Sequence, residues 1–302
     1  MRGKTIVITG ATSGIGQAAA ERLAESGARI VFVARSPDRA AALLARLQSL
    51  NPGAGHDWIE ADLSTIAAMK AAGAALAEKA PRIDVLVNNA GAMFDRRIET
   101  ADGLEMTFAV NHMAYFVITE VLRPHLAAGA RIVSTSSGAH AFGALDFGDL
   151  QSARKFSGSG AYGRSKLCNI LWTRALARRL EGSGVTANCF HPGGVATGFG
   201  GNLQSPLKLA FSLLRPFFLT AAQGADTLVY LASSDTAEGQ AGGYWVKRKL
   251  TAPSADGRND ANAERLWSIS AEIAGLQIIS GEKSLPPLGV EGAERPRPAK
   301  PG

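Results

Sequence analysis

Cysteine is scarce in this sequence: Cys168 and Cys189 are the two present among 302 residues. They form no CxxC pair and no framework of bridges, which excludes a disulfide-built scaffold, disfavours a cysteine-built zinc site and suits a reducing compartment. Both read as small core residues. Excess charge is also sparse. The 32 Lys and Arg against 26 Asp and Glu leave +6, a spread-out surplus that can favour phosphate-bearing ligands but gives no basic groove, so no nucleic-acid partner is expected. Long apolar runs are missing as well. The longest such neighbourhood, Leu207 to Leu219, is broken by Lys208, Arg215 and Pro216 and is shorter than the ~20 residues that cross a bilayer. No transmembrane helix is therefore expected. The first residues run straight into strand-like sequence with no signal-peptide h-region, and a cytoplasmic location is the expectation. His112, His140 and His191 show no metal-ligand spacing, so they read as structural and no metal is expected.

What is present is a globular composition, 46% hydrophobic and 19% charged, with enough apolar material for a sizeable core. Short β-rich runs alternate with alanine-rich stretches of helical period: Thr5 to Thr9, Gly16 to Ser26, Arg29 to Val33, Asp38 to Leu50, Asp57 to Ala61, Ile66 to Lys79 and Asp84 to Asn88. A helix across Met106 to Leu126, a strand at Arg131 to Thr135, a helix from Ala161 to Leu180, and strands at Val185 to Phe190 and Gly243 to Val246 complete the pattern. This order predicts an α/β fold, a Rossmann-type doubly wound parallel sheet of about seven strands. No composition shift or repeat divides residues 1–280, which read as one domain. Residues 281–302 hold Pro286, Pro287, Pro296, Pro298 and Pro301 with few large apolar residues and read as a disordered, proline-rich tail.

The first strand runs into Gly10-Ala-Thr12-Ser13-Gly14-Ile15-Gly16, which opens a helix. In that context the glycines have separate tasks. Gly10 can take the tight turn, Gly14 lets backbone approach a pyrophosphate, and Gly16 lets helix and strand pack closely, while free N–H groups of the turn face the anion. At the end of the second strand, where an acid would hold the ribose 2′-hydroxyl of NAD, the sequence reads Val33-Ala34-Arg35-Ser36. Arg35, with Arg39 nearby, suits a 2′-phosphate. NADP(H) is the preferred cofactor, with NAD(H) left open. Asp38 follows Ser36-Pro37 and reads as ordinary helix-start chemistry.

Tyr162 and Lys166 are four residues apart on a predicted helix and share one face. An ammonium beside a phenol favours the phenolate, so the spacing predicts a tyrosine lowered towards the working pH. Ser137 ends an apolar strand, at the usual ligand edge of a parallel sheet.

The glycine turn, Asn88-Asn-Ala-Gly91 and Tyr162-Gly-Arg-Ser-Lys166, in that order, resemble the short-chain dehydrogenase/reductase family over roughly residues 3–280. Asn111-His-Met, Ser136-Ser-Gly-Ala-His140, Ser165-Lys-Leu-Cys-Asn169, His191-Pro-Gly193 and Leu266-Trp-Ser-Ile-Ser270 resemble the branch of retinol dehydrogenases, the WW-domain oxidoreductase and protochlorophyllide reductase. The resemblance implies a catalytic set of Asn111, Ser137, Tyr162 and Lys166. In it the tyrosine exchanges a proton with substrate, the serine bonds the substrate oxygen, the lysine holds the nicotinamide ribose, and the Asn111 carbonyl positions a water. It further implies cofactor contacts at Asp62 and Leu63, at Asn89, Ala90 and Gly91, and at Pro192, Gly193, Val195 and Thr197.

Gly198 to Ala222 falls where the family carries a substrate lid, and Phe199, Leu203, Phe211, Leu214 and Phe217 suggest an apolar alcohol, aldehyde or ketone of retinoid, steroid or long-chain type. The same segment is compatible with a homo-oligomer surface or a weak peripheral membrane contact. The alternative of another class is a catalytically idle dinucleotide-binding sensor or scaffold, against which the intact Ser137, Tyr162 and Lys166 argue. Sugar-nucleotide epimerases share the Tyr-x-x-x-Lys spacing but usually have a differently spaced glycine turn.

Overall fold

The chain is represented by a computed structural model that describes residues 1–194 and 219–276. Eight strands form one sheet: Thr5–Thr9 (β1), Arg29–Ala34 (β2), Asp57–Glu60 (β3), Ile83–Asn88 (β4), Leu126–Thr135 (β5), Thr186–His191 (β6), Tyr244–Val246 (β7) and Lys249–Thr251 (β8). The order β3-β2-β1-β4-β5-β6-β7-β8 reverses direction between β1 and β4, the switch at which doubly wound sheets bind ligands beyond the carboxyl ends of their strands. β1 to β7 pair in parallel and β8 joins β7 antiparallel.

The described helices are Gly14–Glu25 (α1), Pro37–Leu50 (α2), Ile66–Lys79 (α3), Met106–Phe108 (α4), Ala114–Leu122 (α5), Gly158–Arg179 (α6), Ala221–Gly224 (α7), Asp226–Ser233 (α8) and Asp260–Ile273 (α9). Successive β1 residues divide between two cores, because strand side chains alternate faces. Val7 packs with α3, α5, α6 and α9, whereas Ile6 and Ile8 pack with α1, α2 and α8. β4 is buried along its whole length, as a strand covered on both faces must be. α9 is pinned to α6 by Arg174 and Arg178 on Asp260, and by Arg178 and Arg179 on Glu264. Among the described residues no helix is long and apolar enough to cross a membrane.

Two expectations change. Among the described residues the seven parallel strands gain an eighth, antiparallel one, because Lys247 and Arg248, at φ 51° and 61°, turn the chain back into β8. Asp226 pairs with the Arg248 guanidinium, and the Thr227 hydroxyl accepts from its backbone amide. The single helix expected over Met106 to Leu126 is instead α4, a π-helical turn at Ala109–Met113 carrying Asn111, and then α5. It ends where Pro124 enters a short 3-10 turn, and Leu126 already belongs to β5.

Candidate active site

The carboxyl ends of β1, β4 and β5 are joined through Asn89. Its side-chain amide donates to the carbonyls of Thr9 and Gly10 at 3.3 and 3.1 Å, and its oxygen accepts from the Thr135 hydroxyl at 3.1 Å. The Thr9 hydroxyl accepts in turn from the amides of Asn89 and Ala90. This leaves Gly10 pressed on the β4 end: it has φ +70°, and a Cβ there would lie 2.7 Å from the Ala90 Cα. A Cβ on buried Gly16 would collide with the Gly10 carbonyl. Ser13 stands at the N-cap of α1 without using its hydroxyl as a cap, and the first turn holds no acid. Nothing there repels an anion, so the cradle fits the pyrophosphate of a dinucleotide. Thr12 and Ile15 are half-buried in the same turn.

At the far end of this edge Ala34 is buried, while Arg35 and Arg39 are exposed and make no ion pair among the described residues. Ser36 caps α2 through Arg39's amide, and Asp38 occupies the first turn. Asp62 is exposed, whereas Leu63 is buried in the core, so packing commits its side chain and leaves its backbone for a ligand.

Ser137, Tyr162 and Lys166 converge where β5 ends against α6. The Ser137 side chain lies near enough to the Tyr162 hydroxyl to favour its ionised form. Lys166 is 2% exposed, and its ammonium donates to the Thr135 carbonyl at 3.1 Å, its one acceptor among the described residues. The remaining donors suit ribose hydroxyls. Gly143 and Gly163 allow the 3-10 turn after Ser137 to lie on α6, since a Cβ on Gly163 would sit 2.7 Å from the Ala139 carbonyl. Ser136 faces inward and donates to the Lys166 carbonyl at 2.9 Å. That leaves Ser137 as the serine beside Tyr162.

The electrostatics differ from the reading of the spacing. Burial pushes the Tyr162 phenol up to about 12, against a smaller downward pull from the Ser137 hydrogen bond. Burial also lowers Lys166 to about 7. Desolvation disfavours both charged forms, and in this enclosed site it outweighs the expected lowering of the phenol by the ammonium.

Asn111 clamps the segment after Gly91. Its side chain accepts from the Ala92 amide at 2.8 Å and donates to the Ala92 carbonyl at 2.9 Å, and a Cβ on Gly91 would approach Asn111 Oδ1 to 3.2 Å. The Asn111 carbonyl accepts from Asn169 at 2.9 Å, and Asn169 also donates to the Thr135 carbonyl at 3.2 Å. One residue thus holds two carbonyls around Lys166. Asn169 was not singled out for this from the sequence, although three residues after Lys166 on the same helix is the spacing of a shared face. His112 lies behind it, between Asn169 and Ser270, and burial lowers it to about 4.

Pro192 and Gly193 line a cavity of about 170 Å³ with His191, Leu219, Thr227 and Val246. Val195, Thr197, most of the segment Gly198 to Ala222 and the 281–302 tail lie outside the described residues. Among the described residues no group of His, Cys, Asp and Glu is placed to hold a metal.

A Rossmann sheet with a glycine cradle at its switch point, and a tyrosine, serine and buried lysine at its carboxyl edge, defines a nicotinamide-dinucleotide oxidoreductase. Residues 4–208 match the short chain dehydrogenase family model, and the chain belongs to that family, in the branch of the retinol dehydrogenases. It is 40% identical to human retinol dehydrogenase 14 over 296 residues, covering 91% of this chain and 88% of that protein. It is also 40% identical, over 274 residues, to a candidate daunorubicin C-13 ketoreductase of Streptomyces sp. strain C5, covering 90% and 93%. A solved short chain dehydrogenase from Burkholderia cenocepacia, in complex with NADP, has a TM-score of 0.64 and 29% identity, covering 80% of this chain and 95% of that one. Members act on small-molecule alcohols and carbonyls.

Proposed function

We propose that this protein transfers a hydride between NADP(H) and an apolar alcohol/carbonyl pair, with Tyr162 exchanging the proton at the substrate oxygen. The observation that carries this reading is the Tyr162 hydroxyl beside Ser137, next to a buried Lys166 with one acceptor among the described residues. When bound, the nicotinamide supplies or accepts the hydride. Tyr162 passes its phenolic proton to a carbonyl oxygen, or takes it from an alcohol, while Ser137 donates a hydrogen bond to the same oxygen. A phenol held in its acid form suits donation. Lys166, with the donors that Thr135 does not take, would hold the ribose hydroxyls beside Tyr162. The Asn111 carbonyl, with one lone pair taken by Asn169, uses the other for a water leading outward.

The glycine turn from Gly10 to Gly16 takes the pyrophosphate, and Asp62, Leu63, Asn89, Ala90 and Gly91 line the adenosine side. Pro192 and Gly193, and by the family resemblance Val195 and Thr197, would contact the nicotinamide. Arg35, exposed and without an ion pair among the described residues, supports NADP(H), as does the NADP complex of the Burkholderia relative. An apolar substrate is supported by Phe142, 85% exposed at the end of the turn that starts beside Ser137, and by the Leu and Phe content of 198–222. Residues 1–280 act as one unit in this reading, with 281–302 as a tail. The test is a turnover screen of aliphatic and cyclic aldehydes and ketones of increasing size with NADPH and with NADH. Turnover with NADPH that rises with apolar size is expected, and no turnover with any carbonyl or alcohol would overturn the proposal.

A further inference from the structure

Two imidazoles grip the peptide unit between Ser137 and Gly138, one on each polar atom. His140, 5% exposed, donates from Nδ1 to the Ser137 carbonyl at 2.7 Å, and its Nε2 accepts from the Ser254 amide at 3.1 Å. His191 accepts from the Gly138 amide at its own Nδ1, at 3.0 Å. A carbonyl only accepts and an amide only donates, so the contacts fix opposite neutral tautomers, Nδ1–H on His140 and Nε2–H on His191. The His191 Nδ1 also lies 3.4 Å from the Gly193 amide, which ties the serine turn to the Pro192-Gly193 turn. The ring of His140 is braced edge-on by Tyr244, centroids 4.9 Å apart. Gly138 carries no side chain where a Cβ would meet the His191 Nε2 at 3.2 Å.

We infer that His140 and His191 are positioning residues for Ser137, fixing its backbone so that its hydroxyl meets Tyr162 and the substrate oxygen together. The inference rests on the proposed role of Ser137. Ser137 opens a turn in which its own hydroxyl accepts from the Ala139 amide, a bond that uses a lone pair and leaves the hydroxyl proton for the substrate oxygen. Rotation of the 137–138 peptide would swing Cβ and hydroxyl together. Holding both ends of that peptide removes the freedom, and displacement of a catalytic group by about 1 Å can cost ~100-fold in rate. Burial lowers His191 below the ordinary imidazole range, with a further contribution from His140, which keeps its Nδ1 an acceptor at neutral pH.

The amide side chains separate a positioning role from mere packing. In His191→Asn the side-chain oxygen can stand where Nδ1 accepts, whereas in His191→Gln the same group sits one methylene further out, nearer the Nε2 position. His191→Asn is expected to keep kcat within about threefold of wild type, while His191→Gln loses about tenfold or more, each with NADPH affinity little changed. In a Ser137→Ala background the Asn and Gln variants are expected to share one kcat, because the group they position is gone. Equal kcat for Asn and Gln in the wild-type background, or an undiminished gap between them in Ser137→Ala, overturns the inference; so does loss of NADPH affinity in place of kcat. Failure of His191→Gln to fold while His191→Asn folds also overturns it, since the nitrogen would then serve stability. If Ser137→Ala itself retains wild-type kcat, it is the role of Ser137 in the proposed function that fails.

Discussion

The Lys166 ammonium lies 5.6 Å from the centre of the Tyr162 ring, and burial moves the two groups in opposite directions, the lysine down to about 7 and the tyrosine up to about 12. Each shift favours the neutral form. In the proposed reaction this suits Tyr162 to donate its proton, and it leaves Lys166 close to its titration point at neutral pH. Sequence spacing alone suggests the reverse for the tyrosine, because it counts the nearby charge and omits the cost of enclosing it.

Lys166→Met should stabilise the ligand-free protein at pH 7 and below while removing activity. The folded pKa is depressed from 10.5 to about 7, so between those values the unfolded chain binds a proton that the folded one lacks. Stability from this group rises with pH through that window. Thermal unfolding of both proteins should show a melting-temperature gap that is largest at about pH 7 or below and narrows towards about pH 10. A gap independent of pH would contradict the assignment.

His112 sets part of the acid limit. Its folded pKa is lowered from 6.5 to about 4 by burial, so it contributes stability that is present above pH 6.5 and lost as pH falls towards 4. His56 and His191 are lowered too and act in the same sense. Urea unfolding of wild type should weaken across this range, and His112→Gln should weaken less steeply. Equal slopes would show that His112 does not carry the effect.

Arg35→Ala should discriminate between cofactors. Losing a hydrogen bond to a charged group costs on the order of 1.5–3 kcal/mol, or roughly tenfold or more in NADPH affinity, with NADH little changed. Calorimetry of both cofactors decides it. Equal weakening would make Arg35 structural, and no weakening would turn attention to Arg39.

What the sequence could and could not convey follows from locality. β1 runs over Thr5–Thr9 and α3 over Ile66–Lys79 as read from the sequence, because the spacing of apolar residues along a short run is a local signal. The β7–β8 hairpin is not local: Lys247-Arg248 lacks the usual Asn-Gly turn chemistry, and Asp226 and Thr227 hold it from across the fold. The π-turn at Asn111 was hidden because helical periodicity does not distinguish one extra residue in a turn. Motif spacing brought out Ser137, Tyr162 and Lys166, but the bridge by Asn169 and the grip on the Ser137–Gly138 peptide join residues that only folding makes neighbours.

The central claim is proton exchange by Tyr162 in an NADP(H)-dependent hydride transfer, and the most direct measurement pairs turnover with NADPH binding in wild type and Tyr162→Phe. The substitution removes one oxygen from a half-buried ring and leaves the glycine cradle and Arg35 intact. Wild type should convert an apolar aldehyde with matching loss of NADPH, and Tyr162→Phe should bind NADPH about as tightly while losing at least ~100-fold in kcat. Near-normal kcat in a folded, NADPH-binding Tyr162→Phe would contradict the account.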